Sequence, residues 1–559
     1  MKRLSFLFFI ACLLCIEGQA QKTFTNPILS GFYPDPSICR AGNDYYIVNS
    51  SFAYFPGLPV FHSTDLVNWK QIGNAMDRKE QLDLTGAGVS RGLFAPTIRY
   101  HKGLFYIICT LIDKGGNFII TAKDPKGPWS NPAWLPQVEG IDPSIFFDDN
   151  GKAYIVYNSI PPDNKSLYDG HRTIRMVEFN ATSLKVVSDN TIIVNGGTDI
   201  SKKPVWIEAP HIFKNDGWYY LICAEGGTGY NHSEVVFRSK TVQGPYIPYE
   251  KNPILTQRHL DPQRPNPITT TGHADFVKTP GGKWYAVFLG CRPYKEDHYN
   301  TGRETFMAPV EWKDGWPHIL EGKEEVQYHY PLPLPLATKV VNNNFSGNFT
   351  FRDEFKSSTL NSRYVFLRNP EAGSYTLSPA KRQLALTVKP QTASGKESPA
   401  FIGFRQQHLK ASASTSLTFD PASPDEKAGL LVFQNETHYY FLCQSVENDY
   451  TVIQLYRSMP DGSLQSLVYR ALARHPKELG LKIEARGEHY FFYFSPDNKA
   501  WMLLTIEGMD AKFLSTKTAG GFVGCVFALY ATSQGKESSN KAFFNWFEYQ
   551  GNDDIYNKP

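Results

Sequence analysis

The sequence predicts an all-β chain in which a five-bladed β-propeller is followed by a second β-domain, a β-sandwich. Three observations support this prediction. One phrase recurs five times before residue 291, each copy carries a polar turn between two strand-like runs, and a proline-rich break precedes a new series of hairpins. Apolar runs joined by Gly, Asn and Asp turns are typical of antiparallel sheets.

The recurring phrase begins with a short acidic or alanine-containing step, runs through apolar residues to a turn, and ends in an aromatic strand. An aromatic landmark (Trp69, Trp129 or Tyr246) follows three of the copies at a spacing of 33 to 36 residues. Repeating units of 47 to 67 residues, each a small antiparallel sheet, predict propeller blades rather than a helical solenoid. The copies are "DPSICRAGNDYYIVNS" (35–50), "APTIRYHKGLFYIICT" (95–110), "DPSIFFDDNGKAYIVYN" (142–158), "APHIFKNDGWYYLICA" (209–224) and "ADFVKTPGGKWYAVFLG" (274–290).

The second domain begins after the proline-broken stretch "PLPLPLATK" (331–339). Hairpins such as "AGLLVFQNETHYYFLCQ" and "HYFFYFSPDNKAWMLL" indicate further antiparallel strands, and "GGFVGCVFALYA" (520–531) is typical of a late core strand. The predicted boundaries are a propeller over 21–335, a linker over 336–349 and a β-sandwich over 350–555.

The first 20 residues are predicted to be a secretory signal peptide. Lys2 and Arg3 precede the apolar core "LSFLFFIACLLC", and small residues lead to a cleavage point after Ala20. The mature chain is therefore expected to be exported, to the periplasm or the medium, and no later run is long enough to span a membrane. A formal net charge of +3 with no basic run argues against nucleic acid or an anionic membrane as partner.

Six cysteines remain after the predicted cleavage, and no two form a CxxC pair, so zinc and thiol-redox chemistry are disfavoured. Cys109 and Cys223 occupy matching places in two repeats where larger groups stand in the others, which indicates buried apolar filling. No disulfide is predicted.

The start of each repeat carries the candidate site. In a propeller the first strand of every blade lies along the axis and opens onto one face, so residues there converge. These residues are Asp35, Phe94, Asp142, Glu208 and His273. Proline in these steps would by itself only favour an extended strand start, and this explains the prolines but not three carboxyl groups, which disfavour one another's ionisation in a confined space.

Paired carboxyl groups across a pocket are the usual equipment for glycosidic bond cleavage. One protonates the leaving oxygen, and the other activates water or attacks the anomeric carbon. A third acid can raise the pKa of the proton donor. A phosphatase or metallohydrolase would need more histidines or metal-ligand clusters than the sequence offers.

An ordered set of motifs resembles glycoside hydrolase family 43, in particular its β-xylosidase and α-L-arabinofuranosidase branch. The resemblance implies an inverting enzyme with a five-bladed propeller and a concanavalin A-like β-sandwich. By resemblance, Asp35 is the general base, Glu208 the general acid, and Asp142 the residue that tunes and orients the acid. The motifs are "NPILSGFYPDPSI", "SSFAYFPGLPVFHSTDLVNWKQIGNA", "GIDPSIFFDD", "WIEAPHIFK", "AEGGTGYNHSEVVFRS", "GHADFV" and "TGRETFMAPV".

The resemblance also implies substrate-binding residues. Arg303 would contact substrate hydroxyls, Phe52 and Phe94 would form walls of the sugar subsite, and His232 is a secondary pocket candidate. The alternatives are a surface salt bridge for the arginine and ordinary blade core for the aromatics. His273 would lie beneath the site, either as a structural hydrogen-bonding group or beside a divalent cation such as calcium.

No cofactor is expected to be required. The resemblance also implies an aromatic residue of the second domain at the catalytic mouth. The stretch "KFLSTKTAGGF" offers Phe513 for this role, with Lys517 where an aromatic residue is expected.

The predicted reaction is release of terminal β-D-xylose from xylo-oligosaccharides or xylan products by an exo-acting enzyme. The alternatives are an α-L-arabinofuranosidase, an enzyme with both activities, or a carbohydrate-binding propeller without catalysis. A retaining fructosidase-type enzyme would need Asn-Asp-Pro, Arg-Asp-Pro and Glu-Cys motifs, and none of the three acids lies in such a context. A xylo- or arabino-oligosaccharide is the expected partner, and no particular oligomeric state is predicted.

Overall fold

The computed structural model describes residues 22–321, 324–336 and 345–557. The predicted signal peptide (1–20) lies outside these residues, as does the part of the predicted linker from 337 to 344. Within the described ranges, no helix is long and apolar enough to cross a membrane.

The first domain consists of five antiparallel sheets in chain order, one for each repeat of the sequence. Strands Thr23–Thr25 and His329–Pro331 pair with each other and join the two ends of this domain. The blade strands are Ser37–Ala41, Asp44–Val48, Gly57–Ser63 and Lys70–Met76 in blade one; Thr97–His101, Leu104–Leu111, Gly116–Ala122 and Ala133–Trp134 in blade two; Ile141–Phe147, Ala153–Ser159, Thr173–Asn180, Lys185–Val186 and Thr191–Asn195 in blade three; Glu208–Asn215, Trp218–Glu225, Ser233–Ser239, Ile247–Pro248 and Leu255–Thr256 in blade four; and Thr269–Lys278, Trp284–Cys291, Glu304–Lys313 and Trp316–His318 in blade five.

The aromatic strand of each repeat is an unbroken apolar run because both of its faces are buried. In Leu104–Leu111, Ile107 and Cys109 pack into the core shared with blade one. Tyr106 and Ile108 of the same strand pack into the core shared with blade three. Strands covered on both faces lose the apolar–polar alternation of half-exposed strands.

One polar side chain from each blade joins an axial ring, a network made by Ser37, Arg99, Ser144, His211 and Asp275. The Asp275 carboxylate accepts hydrogen bonds from Ser37 Oγ at 2.7 Å and from both Arg99 Nη atoms at 2.7 and 3.0 Å. His211 Nδ1 lies 3.0 Å from Arg99 Nη2 and 3.0 Å from Ser144 Oγ. The ring therefore connects all five blades close to the start of their first strands.

The second domain is a sandwich of a nine-stranded and a six-stranded antiparallel sheet. The larger sheet contains Thr350–Asp353, Tyr375–Ser378, Gln383–Thr387, Lys410–Thr418, Leu479–Arg486, His489–Ser495, Met502–Leu503, Met509–Asp510 and Lys541–Gly551, and the smaller one Ala400–Arg405, Lys427–Asn435, His438–Glu447, Tyr450–Ser458, Leu464–Ala471 and Val526–Thr532. Helical turns cover Pro162–Asn164, Ile200–Lys202, Pro379–Lys381, Ala511–Leu514, Thr516–Ala519 and Asp554–Asn557.

The two domains share buried contacts. Strand Tyr54–Phe55 of the propeller pairs with Phe366–Leu367 of the second domain. The fully buried Arg292 binds the Glu304 carboxylate at 2.6 Å and the Asp553 carboxylate at 2.7 Å, which connects blade five to the chain end. These contacts hold the second domain against the propeller face that carries the site.

The predicted fold class, a five-bladed propeller followed by a β-sandwich, is confirmed. The six cysteines of the described chain are all buried and free. For Cys109 and Cys223, burial agrees with their prediction as apolar filling.

Candidate active site

A cavity of about 820 Å³ opens on the propeller axis. All five blades contribute to its lining, and Phe522 of the second domain completes it. Of the predicted site residues, the cavity is lined by Asp35, Phe52, Phe94, Asp142, Glu208, His273 and Arg303, whereas His232 is not part of the lining. The three acids, distant in sequence, thus share one space.

Irregular backbone conformations orient these side chains toward the cavity. Asp35, Asp142 and His273 themselves have left-handed φ values of 51°, 53° and 55°, and Ala209, next to Glu208, has φ 51°. The first strands of blades three, four and five also carry register shifts at these positions. Bulges redirect side chains, and left-handed non-glycine residues persist only where surrounding structure holds them, often at functional sites.

Asp35 is held as an anion. Its carboxylate accepts hydrogen bonds from Ser50 Oγ and Arg303 Nη1, both at 2.5 Å, and His273 Nδ1 lies 3.7 Å away. Burial raises the pKa of Asp35, but the charge of Arg303, with help from His273 and Ser50, outweighs burial and leaves the pKa below its usual value. A carboxylate that is ionised at every ordinary pH suits a proton acceptor.

Glu208 shows the opposite shift. Burial, followed by the negative charge of Asp35, raises the pKa of Glu208 to about 7. Arg303 and a 3.5 Å hydrogen bond from Thr228 Oγ1 act against this rise without reversing it. Glu208 therefore still carries its proton in mildly acidic solution and can donate it.

The pKa of Asp142 responds to both of the other acids. Burial raises its pKa well above the usual value, and the charges of Glu208 and Asp35 raise it further. Its Oδ2 accepts a 3.3 Å hydrogen bond from the backbone N–H of Ala209, the residue after Glu208. Asp142 is thus connected to the backbone that carries Glu208, and each of these two buried carboxyls disfavours ionisation of the other.

The two candidate histidines are neutral. Burial lowers the pKa of His273 to about 4 and that of His232 to about 3. His232 is buried outside the cavity lining, and its Nδ1 is 3.1 Å from the Thr270 carbonyl oxygen.

The surroundings of His273 offer a calcium ion few ligands from protein side chains. Calcium takes six to eight oxygen ligands, and the described residues contain no group of three His, Cys, Asp or Glu side chains that could hold a metal. The nearest carboxylate, Asp35, is already paired with the Arg303 guanidinium.

Aromatic rings surround one side of the cavity. The Phe52 and Phe94 rings lie 5.3 Å apart, and the Phe522 ring lies 5.9 Å from each, stacked on Phe52 and edge-on to Phe94. Phe513, which the sequence offered for this role, instead packs 5.3 Å from Tyr440 within the second domain. The residue of the second domain that reaches the cavity is therefore Phe522.

The sequence contains only a weak indication that Phe522 would reach the cavity. Gly520 and Gly521 precede it with φ values of 70° and 79°, which are favourable for glycine, and its backbone N–H donates to Ser90 Oγ at 2.9 Å. Other lining residues outside the sequence prediction include Arg91, Ile160, Arg172, Trp206 and Thr228. Trp206 lies in the acid-bearing motif "WIEAP", whereas the arginines are brought in only by folding.

An axial pocket in which an anionic carboxyl group, Asp35, shares the space with two carboxyl groups of raised pKa, Asp142 and Glu208, defines the class of protein as an acid–base glycosidase. Comparisons with known proteins agree. The family described as "Glycosyl hydrolases family 43" matches residues 24–317, and the "Beta xylosidase C-terminal Concanavalin A-like domain" matches residues 352–550. The chain belongs to glycoside hydrolase family 43 and is an enzyme that hydrolyses O-glycosyl bonds.

Relatives cover nearly the whole chain. A "Xylosidase/arabinosidase" of Butyrivibrio fibrisolvens is 39% identical over 93% of this chain and 98% of its own. A non-reducing end α-L-arabinofuranosidase of Bacteroides ovatus is 38% identical over 97% of this chain and 98% of its own. The solved structure of a xylan β-1,4-xylosidase from Bacillus halodurans is 29% identical, with a TM-score of 0.83 over 94% of this chain and 100% of its own.

Proposed function

We propose that the protein is an exo-acting, inverting glycoside hydrolase that releases terminal β-D-xylose from xylo-oligosaccharides or xylan products. The observation that carries the proposal is the opposite pKa shift of Asp35 and Glu208 in one cavity. A general base that is ionised and a general acid that keeps its proton are both present at the same pH.

The reaction follows from the ionised state of Asp35 and the protonated state of Glu208. Asp35 accepts a proton from a water molecule as the water oxygen bonds to the anomeric carbon. Glu208 gives its proton to the glycosidic oxygen as the bond from that oxygen to the anomeric carbon breaks. Attack from the face opposite the leaving group inverts the anomeric centre. Asp142 orients Glu208 through Ala209, and Arg303 keeps Asp35 ionised.

Removal of one sugar at a time is supported by the closed aromatic side of the cavity. Phe52, Phe94 and Phe522 stand together beside the base. Phe522 also receives the Arg303 guanidinium over its ring at 5.7 Å. Such a wall suits the non-reducing end of a chain, because a polymer could not continue through it.

A second candidate is release of α-L-arabinofuranose, alone or in addition to xylose. Its support is the naming of the two relatives above, one as an enzyme for both sugars and the other as an arabinofuranosidase. Purified protein is assayed with 4-nitrophenyl β-D-xylopyranoside and the α-L-arabinofuranoside. Release from the xyloside supports the first candidate, comparable release from both supports dual activity, and sugar binding without release would contradict both and leave a carbohydrate-binding protein.

Glu208→Gln tests the proton donor. We expect a loss of about 10³-fold or more in kcat on xylobiose, and a much smaller loss on aryl xylosides with good leaving groups, which need little protonation. Asp35→Asn is the matched comparison, because loss of the base harms both kinds of substrate. Equal losses on both substrates in Glu208→Gln would contradict its role as the acid.

We also propose that hydrolysis requires no cofactor and that the chain is exported, the latter on the strength of the predicted signal at residues 1–20. Arg303 already supplies positive charge to Asp35. Activity is therefore expected to stay unchanged after dialysis against EDTA, and a loss that calcium restores would contradict this prediction.

A further inference from the structure

The cavity has two unlike sides. Phe52, Phe94 and Phe522 stand on the side of Asp35, together with Arg303. The opposite side, which carries Glu208, is lined from blades three and four and includes Ile160, Arg172, Trp206 and Thr228. In an inverting glycosidase the base and the acid work on opposite faces of the sugar, so the leaving group lies on the acid's side.

Arg172 and Trp206 form a stacked pair on that side. The Arg172 guanidinium carbon lies 3.8 Å from the Trp206 ring centroid, a close cation–π contact. Arg172 Nη1 donates to the His171 carbonyl oxygen at 2.9 Å, and the Trp206 backbone N–H donates to the Gly170 carbonyl oxygen at 2.8 Å. Both side chains are thereby held in place, and guanidinium N–H groups remain for a ligand.

The position of the pair is set by the acid's own strand. Trp206 precedes Glu208 by two residues and has a left-handed φ of 53°. The charge of Arg172 reaches Glu208, whose pKa it lowers slightly against the larger upward effect of burial. A group stacked here is therefore next to the proton that passes to the leaving oxygen.

Apolar side chains are exposed on the same side. Ile160, which lines the cavity, is 46% exposed, and Val205, next to Trp206, is 42% exposed. Ile160 therefore presents an aliphatic surface to a ligand in the cavity. An indole and an aliphatic side chain suit the C–H face of a sugar ring, and arginine suits its hydroxyls.

We propose that Arg172, Trp206 and Ile160 form the subsite for the leaving-group sugar, a neutral sugar residue next to the scissile bond. The proposal rests on the proposed function. A cavity of 820 Å³ lies near the upper end of the range for small-molecule pockets, about 300–1,000 Å³, and leaves room for this second sugar beside the first.

Two substrates with the same reacting sugar separate this subsite from the chemistry. Xylobiose has a leaving sugar, whereas β-D-xylosyl fluoride has a single leaving atom that touches none of the three residues. In Arg172→Ala and Trp206→Ala we expect kcat/KM on xylobiose to fall about tenfold or more, through KM above all, and kcat/KM on the fluoride to stay within about threefold.

Arg238→Ala is the matched control. Arg238 lies 4.5 Å from the Trp218 ring outside the cavity, so its loss removes a similar pair without touching the subsite. It is expected to leave both reactions unchanged.

The outcomes are distinct. A wild-type enzyme that hydrolyses neither substrate overturns the proposed function and the subsite with it. An active wild type whose variants lose equal factors on both substrates overturns the subsite alone. The fluoride reaction also reports correct folding, and if Trp206→Ala loses both reactions through misfolding, the ratio measured for Arg172→Ala decides.

Discussion

At the residue scale, the site depends on two carboxyl groups that are both buried but are pushed in opposite directions. Burial alone would raise the pKa of each. The difference lies in the neighbours. Asp35 is in direct contact with the Arg303 guanidinium, whereas Glu208 has the negative charge of Asp35 nearby, which the charge of Arg303 and a 3.5 Å hydroxyl contact from Thr228 do not outweigh. One arginine on one side of the cavity therefore separates base from acid.

The pH profile follows from these shifts. As pH rises, kcat/KM is expected to increase while Asp35 loses its proton, below the usual range for an aspartate, and to decrease as Glu208 loses its proton near pH 7. The optimum should be mildly acidic. Initial rates on xylobiose at low substrate concentration, from pH 3 to 9, measure both limbs.

Two variants identify the ionisable groups that produce the acidic and alkaline limbs of the pH profile. Arg303→Gln should move the acidic limb to higher pH, since Asp35 loses the charge that holds its pKa down. Glu208→Gln, followed with an activated aryl xyloside, should lack the alkaline limb. An alkaline limb that survives in Glu208→Gln would assign it to another group.

At the element scale, short irregular segments place the functional side chains. Three of the five first strands shift register at the site, and a glycine pair delivers Phe522 from the second domain. The regular parts of the same strands are buried on both faces and hold these irregular starts. The regular parts of the blades thus hold the strained backbone at the strand starts, where the functional side chains lie.

Phe522→Ala tests the contribution of the second domain. The substitution removes a ring stacked on Phe52 and beside Phe94, so kcat/KM on xylobiose is expected to fall about tenfold. The ring is 36% exposed, so the free energy of unfolding should change little. Steady-state kinetics and urea unfolding measure the two effects.

Phe513→Ala is the matched control in the same domain. Its ring packs between His438 and Tyr440, away from the cavity. We expect lower stability and unchanged kcat/KM, the reverse of the Phe522 pattern. Unchanged kinetics in Phe522→Ala would show that the second domain does not contribute to substrate binding.

At the scale of the whole molecule, the axial ring connects blades that are not neighbours as well as blades that are. Asp275 in blade five accepts hydrogen bonds from blade one and from Arg99 in blade two. The charge of Arg99 overcomes burial and lowers the pKa of Asp275 to about 2. Closure of the propeller therefore includes a buried ion pair one layer below the catalytic acids.

Asp275→Asn should destabilise the protein by about 3 kcal/mol, because it leaves the largely buried Arg99 guanidinium, 18% exposed, without its counter-charge. Urea unfolding monitored by tryptophan fluorescence measures the change. Glu178→Gln, which removes an exposed partner of Lys152, is the control and should have little effect. A loss no larger than that of the control would show that the ring does not stabilise the closed propeller.

The sequence by itself determined the repeat, and through it the number of blades and the meeting of Asp35, Asp142 and Glu208. A repeated strand start can be placed on a common axis without coordinates, because every blade inserts the same strand there. For the same reason Phe94 and His273 could be named. Phe52, Arg303 and His232 came from the family resemblance, and of these three His232 lies outside the cavity lining. The roles of these residues remain predictions.

Only the tertiary structure decided which charges meet. That Arg303 pairs with Asp35, that Phe522 rather than Phe513 reaches the cavity, and that Arg172 stacks on Trp206 depend on contacts across blades and domains. The local pattern of apolar and polar residues indicates which faces of a strand are buried. The pKa values and the subsites depend on neighbours that are far away in the sequence. The physical reason is that burial and charge act through space, over distances that chain order does not encode.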